Sequence, residues 1–144
     1  MSVLGIGVDA VDIERFRGVL SRRPHIAERL FSAGEQEYAR RSGDPARRLA
    51  VRFAAKEAAL KALGVGIGAA PFRDIEVVRS RDGAPGISLH GGAALLADKR
   101  GVQRWHLSLT HTSDLAVASA VAEGGENTEG ADSTAGGESA AVGS

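Results

Sequence analysis

The chain has 144 residues, 43% of them hydrophobic, with no cysteine and 18 basic residues balanced by 18 acidic ones. That length suits one domain with a core of its own, small enough for oligomerisation to help. Disulfides and thiolate metal sites are excluded, no apolar run reaches the ~20 residues of a membrane span, and no secretory signal pattern opens the chain.

The zero net charge averages two unlike parts. All 18 basic residues precede Glu123, where 13 acids leave an excess of +5; from Glu123 onward there are five acids and no base. Residues 15–56 alone hold 11 bases against 4 acids. A cationic face of this kind attracts phosphates or an acidic protein. Nucleic acid is set aside, because aromatic residues, at 4% of the chain, are too few to interleave with bases. Residues 123–144 are rich in Gly, Ala, Ser, Glu and Thr, with Val142 the only branched aliphatic, so a disordered acidic tail is expected after a domain spanning 1–122.

In chain order, Val3–Asp9 alternates as a strand does: Leu4, Ile6 and Val8 share one face, while Gly5, Gly7 and Asp9 share the other. The second face is bare backbone ending in a carboxylate, open to the close approach of a helix or ligand, with Asp9 available to cap the helix that follows. Asp12–Leu20 and Pro24–Phe31 are predicted helical. Ser32 and Glu35 form a capping-box pattern opening a helix to about Arg41. Asp44 as N-cap and Pro45 at the first position start a longer helix, ending at Leu63 before Gly64. Glycines at 64, 66 and 68 then make a loop whose spacing matches neither a Walker nor a Rossmann pattern. Ile75–Val78 and Ile87–Leu89 read as a hairpin, Gly92–Lys99 as a short helix, and Trp105–Thr110 and Leu115–Val121 as two further strands. The expected class is α+β, a small antiparallel sheet packed on one long helix and several short ones.

The chemistry concentrates on the long helix. Glu57 and Lys61 sit four apart on one face, and Arg52 and Lys56 repeat that spacing beside them. Three cations around one carboxylate suit a divalent metal and a polyphosphate, although an ordinary surface ion pair has the same spacing. Hard cations such as Mg²⁺ prefer carboxylate oxygens, which makes Asp9 and Glu57 the candidate ligands.

Three blocks carry a resemblance. They are Gly5-Ile6-Gly7-Val8-Asp9 running on to Phe16, Arg52-Phe53-Ala54-Ala55-Lys56-Glu57-Ala58-Ala59-Leu60-Lys61-Ala62 with its glycine loop, and His106-Leu107-Ser108-Leu109-Thr110-His111-Thr112. In this order and at these separations the chain, over about 1–122, resembles the holo-acyl-carrier-protein synthases, the small class of 4′-phosphopantetheinyl transferases. The resemblance implies transfer of the phosphopantetheine arm from coenzyme A to a serine of an apo-acyl carrier protein, with release of adenosine 3′,5′-bisphosphate. It further implies Mg²⁺ dependence and a homotrimer with coenzyme A bound between protomers, while the lack of cysteine fits a reducing cytoplasm. Asp9 and Glu57 fall on the family's metal-ligand positions and Lys61 on the lysine facing the reacting phosphates. Glu57 and His111 join Lys61 as catalytic candidates, and Gly66 and His111 join Lys61 as contacts to coenzyme A. Arg48 and Arg52 are candidates for its 3′-phosphate, since guanidinium matches phosphate oxygens. Arg15, Arg22 and Arg23 are candidates for the acidic carrier. Two rivals stand beside this reading: a metal-dependent pyrophosphohydrolase of coenzyme A or nucleotides, and a non-catalytic module that binds coenzyme A or the carrier.

Overall fold

The structure is a computed structural model that describes residues 1–125. It has a three-stranded antiparallel sheet, a separate β-hairpin and five helices among the described residues. Strand β1 (Ser2–Asp12) leads into α1 (Ile13–Arg22), α2 (Ile26–Leu30), α3 (Ala33–Arg40) and the long α4 (Pro45–Ala62). A 3₁₀ turn at Phe72–Asp74 precedes the hairpin of β2 (Ile75–Arg79) and β3 (Pro85–Leu89). Helix α5 (Gly91–Lys99) and the strands β4 (Val102–His111) and β5 (Leu115–Gly124) complete the fold.

The helix signals act where expected. Asp44 Oδ1 accepts from the Arg47 N–H with Pro45 in the first turn, and the Ser32–Glu35 capping box is complete in both directions. Three expectations are corrected. The cap of α1 is Asp12, whose side chain accepts from the Arg15 N–H, which leaves Asp9 for another role. The Pro24–Phe31 helix shrinks to Ile26–Leu30, because Pro24 lies in the turn after α1. The five strands do not form one sheet: β1-β5-β4 pair in that order, while β2 and β3 pair only with each other. In addition, β5 continues through Glu123 and Gly124, paired with Val3 and Ser2, so the first two residues of the expected tail belong to the sheet. The remaining tail, from residue 126, lies outside the described residues.

Helix α4 lies flat on the sheet because one face of β1 has almost no side chains. A Cβ on Gly7 would stand 1.9 Å from the Ala58 carbonyl oxygen, and one on Gly5 1.8 Å from that of Ala62. Alanines complete the contact: Ala116, Ala118, Ala120 and Ala122 of β5 and Ala50, Ala54, Ala55 and Ala58 of α4 are fully or almost fully buried. Phe16, Phe31 and Phe53 close the core beneath α1, with Phe16 stacked on Phe53 at 5.0 Å between centroids.

The opposite sheet face has no such cover. Ile6 and Val8 of β1 are more than half exposed, 63% and 54%, and the register sets them beside Val121 and Ser119 of β5. None of the helices among the described residues is long and apolar enough to cross a membrane.

Candidate active site

Residue Asp9 leaves β1 on the face that meets α4, and Glu57 and Lys61 leave α4 one turn apart toward it. The Lys61 ammonium donates to Asp9 Oδ1 at 3.1 Å and to the Val8 carbonyl at 3.1 Å. Asp9 is largely shielded, whereas Lys61 is exposed. Burial, then hydrogen bonding and charge from Asp9, push the Glu57 carboxyl up to about 8, against the opposing pull of Lys61. The fold therefore brings together the two carboxylates and one of the cations singled out in the sequence.

The other two cations of the helix turn elsewhere, which corrects the expected cluster around Glu57. Lys56 is fully buried and spends all three N–H bonds inside the protein. It donates to Glu35 Oε1 at 2.8 Å, to the Phe72 carbonyl at 3.0 Å and to the Ile75 carbonyl at 2.5 Å. The second Glu35 oxygen accepts from the Val77 N–H, so this ion pair pins α3 and the hairpin to α4. Removing one partner would strand a buried charge, a loss of about 3–5 kcal/mol.

Arg52 points to a different cleft. This cavity, of about 210 Å³, is lined by Arg47, Arg48, Val51 and Arg52 of α4, Arg79 of β2, and Leu109, Thr110 and His111 of β4. Arg52 is 4% exposed, its Nε has no hydrogen-bond partner, and burial lowers its pKa. A desolvated guanidinium with an unused donor in a cleft without acids is suited to an anion. His111 is exposed, with Nδ1 3.3 Å from the Thr112 carbonyl oxygen.

Arg48, Arg52 and His111 are thus joined in one cleft, but apart from Asp9, Glu57 and Lys61. The register sets His111 opposite Ala116, and Ala116 opposite Val11, so the cleft belongs to one edge strand and Asp9 to the other. Two strand spacings, about 10 Å, separate these edges, and α4 rides between them. Gly66 lines neither cluster: it is exposed in the loop after Lys61, with open space around its α-carbon. Arg15, Arg22 and Arg23 are exposed on and just after α1. Sequence reasoning missed Arg47, Arg79 and the Tyr38 ring beside the cleft. The adjacent Arg47-Arg48 pair was a usable signal, whereas nothing local to Arg79 or Tyr38 announces the meeting of a hairpin and α3.

The donor set fits a hard divalent cation. Two carboxylates crowd together, and burial followed by the proximity of Asp9 raises the Glu57 pKa, a cost that a cation between them would relieve. No group of three or more potential ligands exists among the described residues, which leaves coordination positions for water and substrate oxygens.

Comparison with known proteins adds the family. Residues 5–120 match the 4′-phosphopantetheinyl transferase superfamily. The chain is 48% identical over 123 residues to the holo-[acyl-carrier-protein] synthase of Frankia casuarinae, covering 85% of this chain and 99% of that protein. The solved holo-[acyl-carrier-protein] synthase of Neisseria meningitidis superposes with a TM-score of 0.78 at 33% identity, over 84% of this chain and 98% of that one. The Helicobacter pylori enzyme, solved in complex with coenzyme A, gives 0.72 at 32% identity, over 82% and 99%. The chain belongs to the 4′-phosphopantetheinyl transferase superfamily, in its holo-[acyl-carrier-protein] synthase branch.

Proposed function

We propose that the protein transfers 4′-phosphopantetheine from coenzyme A to a serine of an apo-acyl carrier protein, releasing adenosine 3′,5′-bisphosphate in a Mg²⁺-dependent reaction. The observation that carries this reading is the Asp9–Glu57 pair with Lys61 bonded to it, on the blocks where the chain matches its family. Asp9 and Glu57 would hold the cation, which when bound neutralises charge on the pyrophosphate. Lys61 carries its ammonium on a long exposed side chain, able to swing from Asp9 to a phosphate oxygen and stabilise charge on the leaving group. Glu57, once ionised, accepts the serine proton as the hydroxyl attacks the phosphorus bound to the pantetheine arm and the bond from that phosphorus to the adenosine bisphosphate breaks.

The arginine cleft is read as the seat of the 3′-phosphate, supported by the unpaired Arg52 Nε and the guanidiniums of Arg48 and Arg79 beside it. His111, on its rim, is read as a phosphate contact. The cleft and the carboxylates lie on opposite edges of the sheet, which supports reading coenzyme A as bound between protomers, one supplying the arginines and the next supplying Asp9 and Glu57. A homotrimer would also cover the exposed Ile6–Val8 face. The exposed Arg15, Arg22 and Arg23 are assigned to the acidic carrier, and the enzyme to the cytoplasm.

Release of adenosine 3′,5′-bisphosphate, followed with and without apo-carrier, tests the reading. Release is expected only when the carrier is present. Equal release without it would identify a pyrophosphohydrolase, and none in either case a binding module.

A further inference from the structure

Three guanidiniums converge on one tyrosine. Arg48 and Arg52 each lie 4.3 Å from the centroid of the Tyr38 ring, and Arg79, from the hairpin, lies 5.6 Å away. Like charges this close repel, and the usual remedy, a carboxylate among them, is missing. None of the residues lining the cleft is acidic. The nearby Glu35 already accepts from Lys56, from the Ser32 N–H and from the Val77 N–H. Glu76 is occupied by Ser32 and His90. Arg79 donates to the Gly83 carbonyl; what remains to hold Arg48 and Arg52 is the negative face of the ring. Burial opposes ionisation of the phenol, yet the charges of Arg79, Arg48 and Arg52 prevail and lower its pKa, a sign of the field concentrated there.

We propose that Tyr38 is a positioning residue that sets donor specificity. Its ring holds Arg48 and Arg52 as a fixed pair, with Arg79 alongside, so that the cleft grips the 3′-phosphate and favours coenzyme A over a donor lacking that group. The inference rests on reading the cleft as the 3′-phosphate seat. It adds a residue from α3 that touches no substrate and acts through the arginines. A flexible arginine pays side-chain entropy when it binds an anion; one already stacked on a ring has less left to lose.

The test measures KM and kcat for coenzyme A and for 3′-dephospho-coenzyme A in the wild type, Tyr38→Phe, Tyr38→Leu and Arg48→Ala. Two ring–guanidinium contacts correspond to about a tenfold effect. Tyr38→Leu should raise KM for coenzyme A about tenfold, leave kcat within about twofold, and leave KM for the dephosphorylated donor unchanged. Tyr38→Phe, which keeps the ring, should retain the wild-type preference. Equal weakening toward both donors by Tyr38→Leu, or no change toward either, would overturn the proposal. A wild type and Arg48→Ala that treat both donors alike would instead remove the 3′-phosphate reading beneath it. If Tyr38→Leu fails to fold in a thermal melt, Tyr38→Trp decides: the wild-type preference supports the role, and a preference as low as that of Arg48→Ala refutes it.

Discussion

Glu57 carries opposed demands at the scale of a single side chain. Half-buried against Asp9, it is held partly protonated in the free protein, whereas its proposed work requires an oxygen that binds a cation or accepts a proton. Replacement by Gln removes the chemistry and also the repulsion. Glu57→Gln is expected to cut kcat for transfer by about a hundredfold or more, while the metal-free protein melts no lower than wild type. The pH dependence has a defined sign. A carboxyl whose folded pKa is raised from 4.5 to about 8 costs stability as it ionises, so folding weakens with rising pH across that interval. With metal removed by chelation, the advantage of the Gln variant in denaturant melts should therefore be absent below 4.5 and grow toward 8. A variant that loses stability together with rate would mark Glu57 as structural.

Among the elements, α4 organises the site because β1 offers it bare backbone. The close approach at Gly7 and Gly5 aligns Asp9 with the turn holding Glu57 and Lys61. Gly7→Ala would drive a methyl into the Ala58 carbonyl at 1.9 Å and is expected to cost about 3 kcal/mol or more in chemical denaturation. Gly66→Ala, with nothing within 4 Å of the new methyl, should leave stability near wild type. Similar losses for both would refute the packing argument. Much of this was legible in the sequence because its signals are local. The Asp44-Pro45 start, the Ser32–Glu35 box and the glycine alternation of β1 each specify geometry within a few residues. Lys56 was misread for the complementary reason. Its spacing from Arg52 is that of a surface pair, and only the tertiary fold reveals Glu35 and two carbonyls waiting to bury it.

For the whole molecule, the decisive feature is the separation of the carboxylates from the arginine cleft on opposite edges of one sheet. No local pattern encodes it, since both clusters draw on α4 and their division depends on strand order. If neighbouring protomers complete each site, two inactive proteins should rescue one another: mixing Asp9→Asn with Arg52→Leu under conditions of subunit exchange is expected to restore a fraction of wild-type turnover. Mixed assemblies that remain inactive would place the entire site in one chain. The most direct test of the account is the intact mass of an apo-acyl carrier protein after incubation with this protein, coenzyme A and Mg²⁺. The expected result is the addition of one phosphopantetheine arm at the carrier serine, slowed about a hundredfold or more by Glu57→Gln. A carrier of unchanged mass, whether or not coenzyme A is consumed, would contradict it.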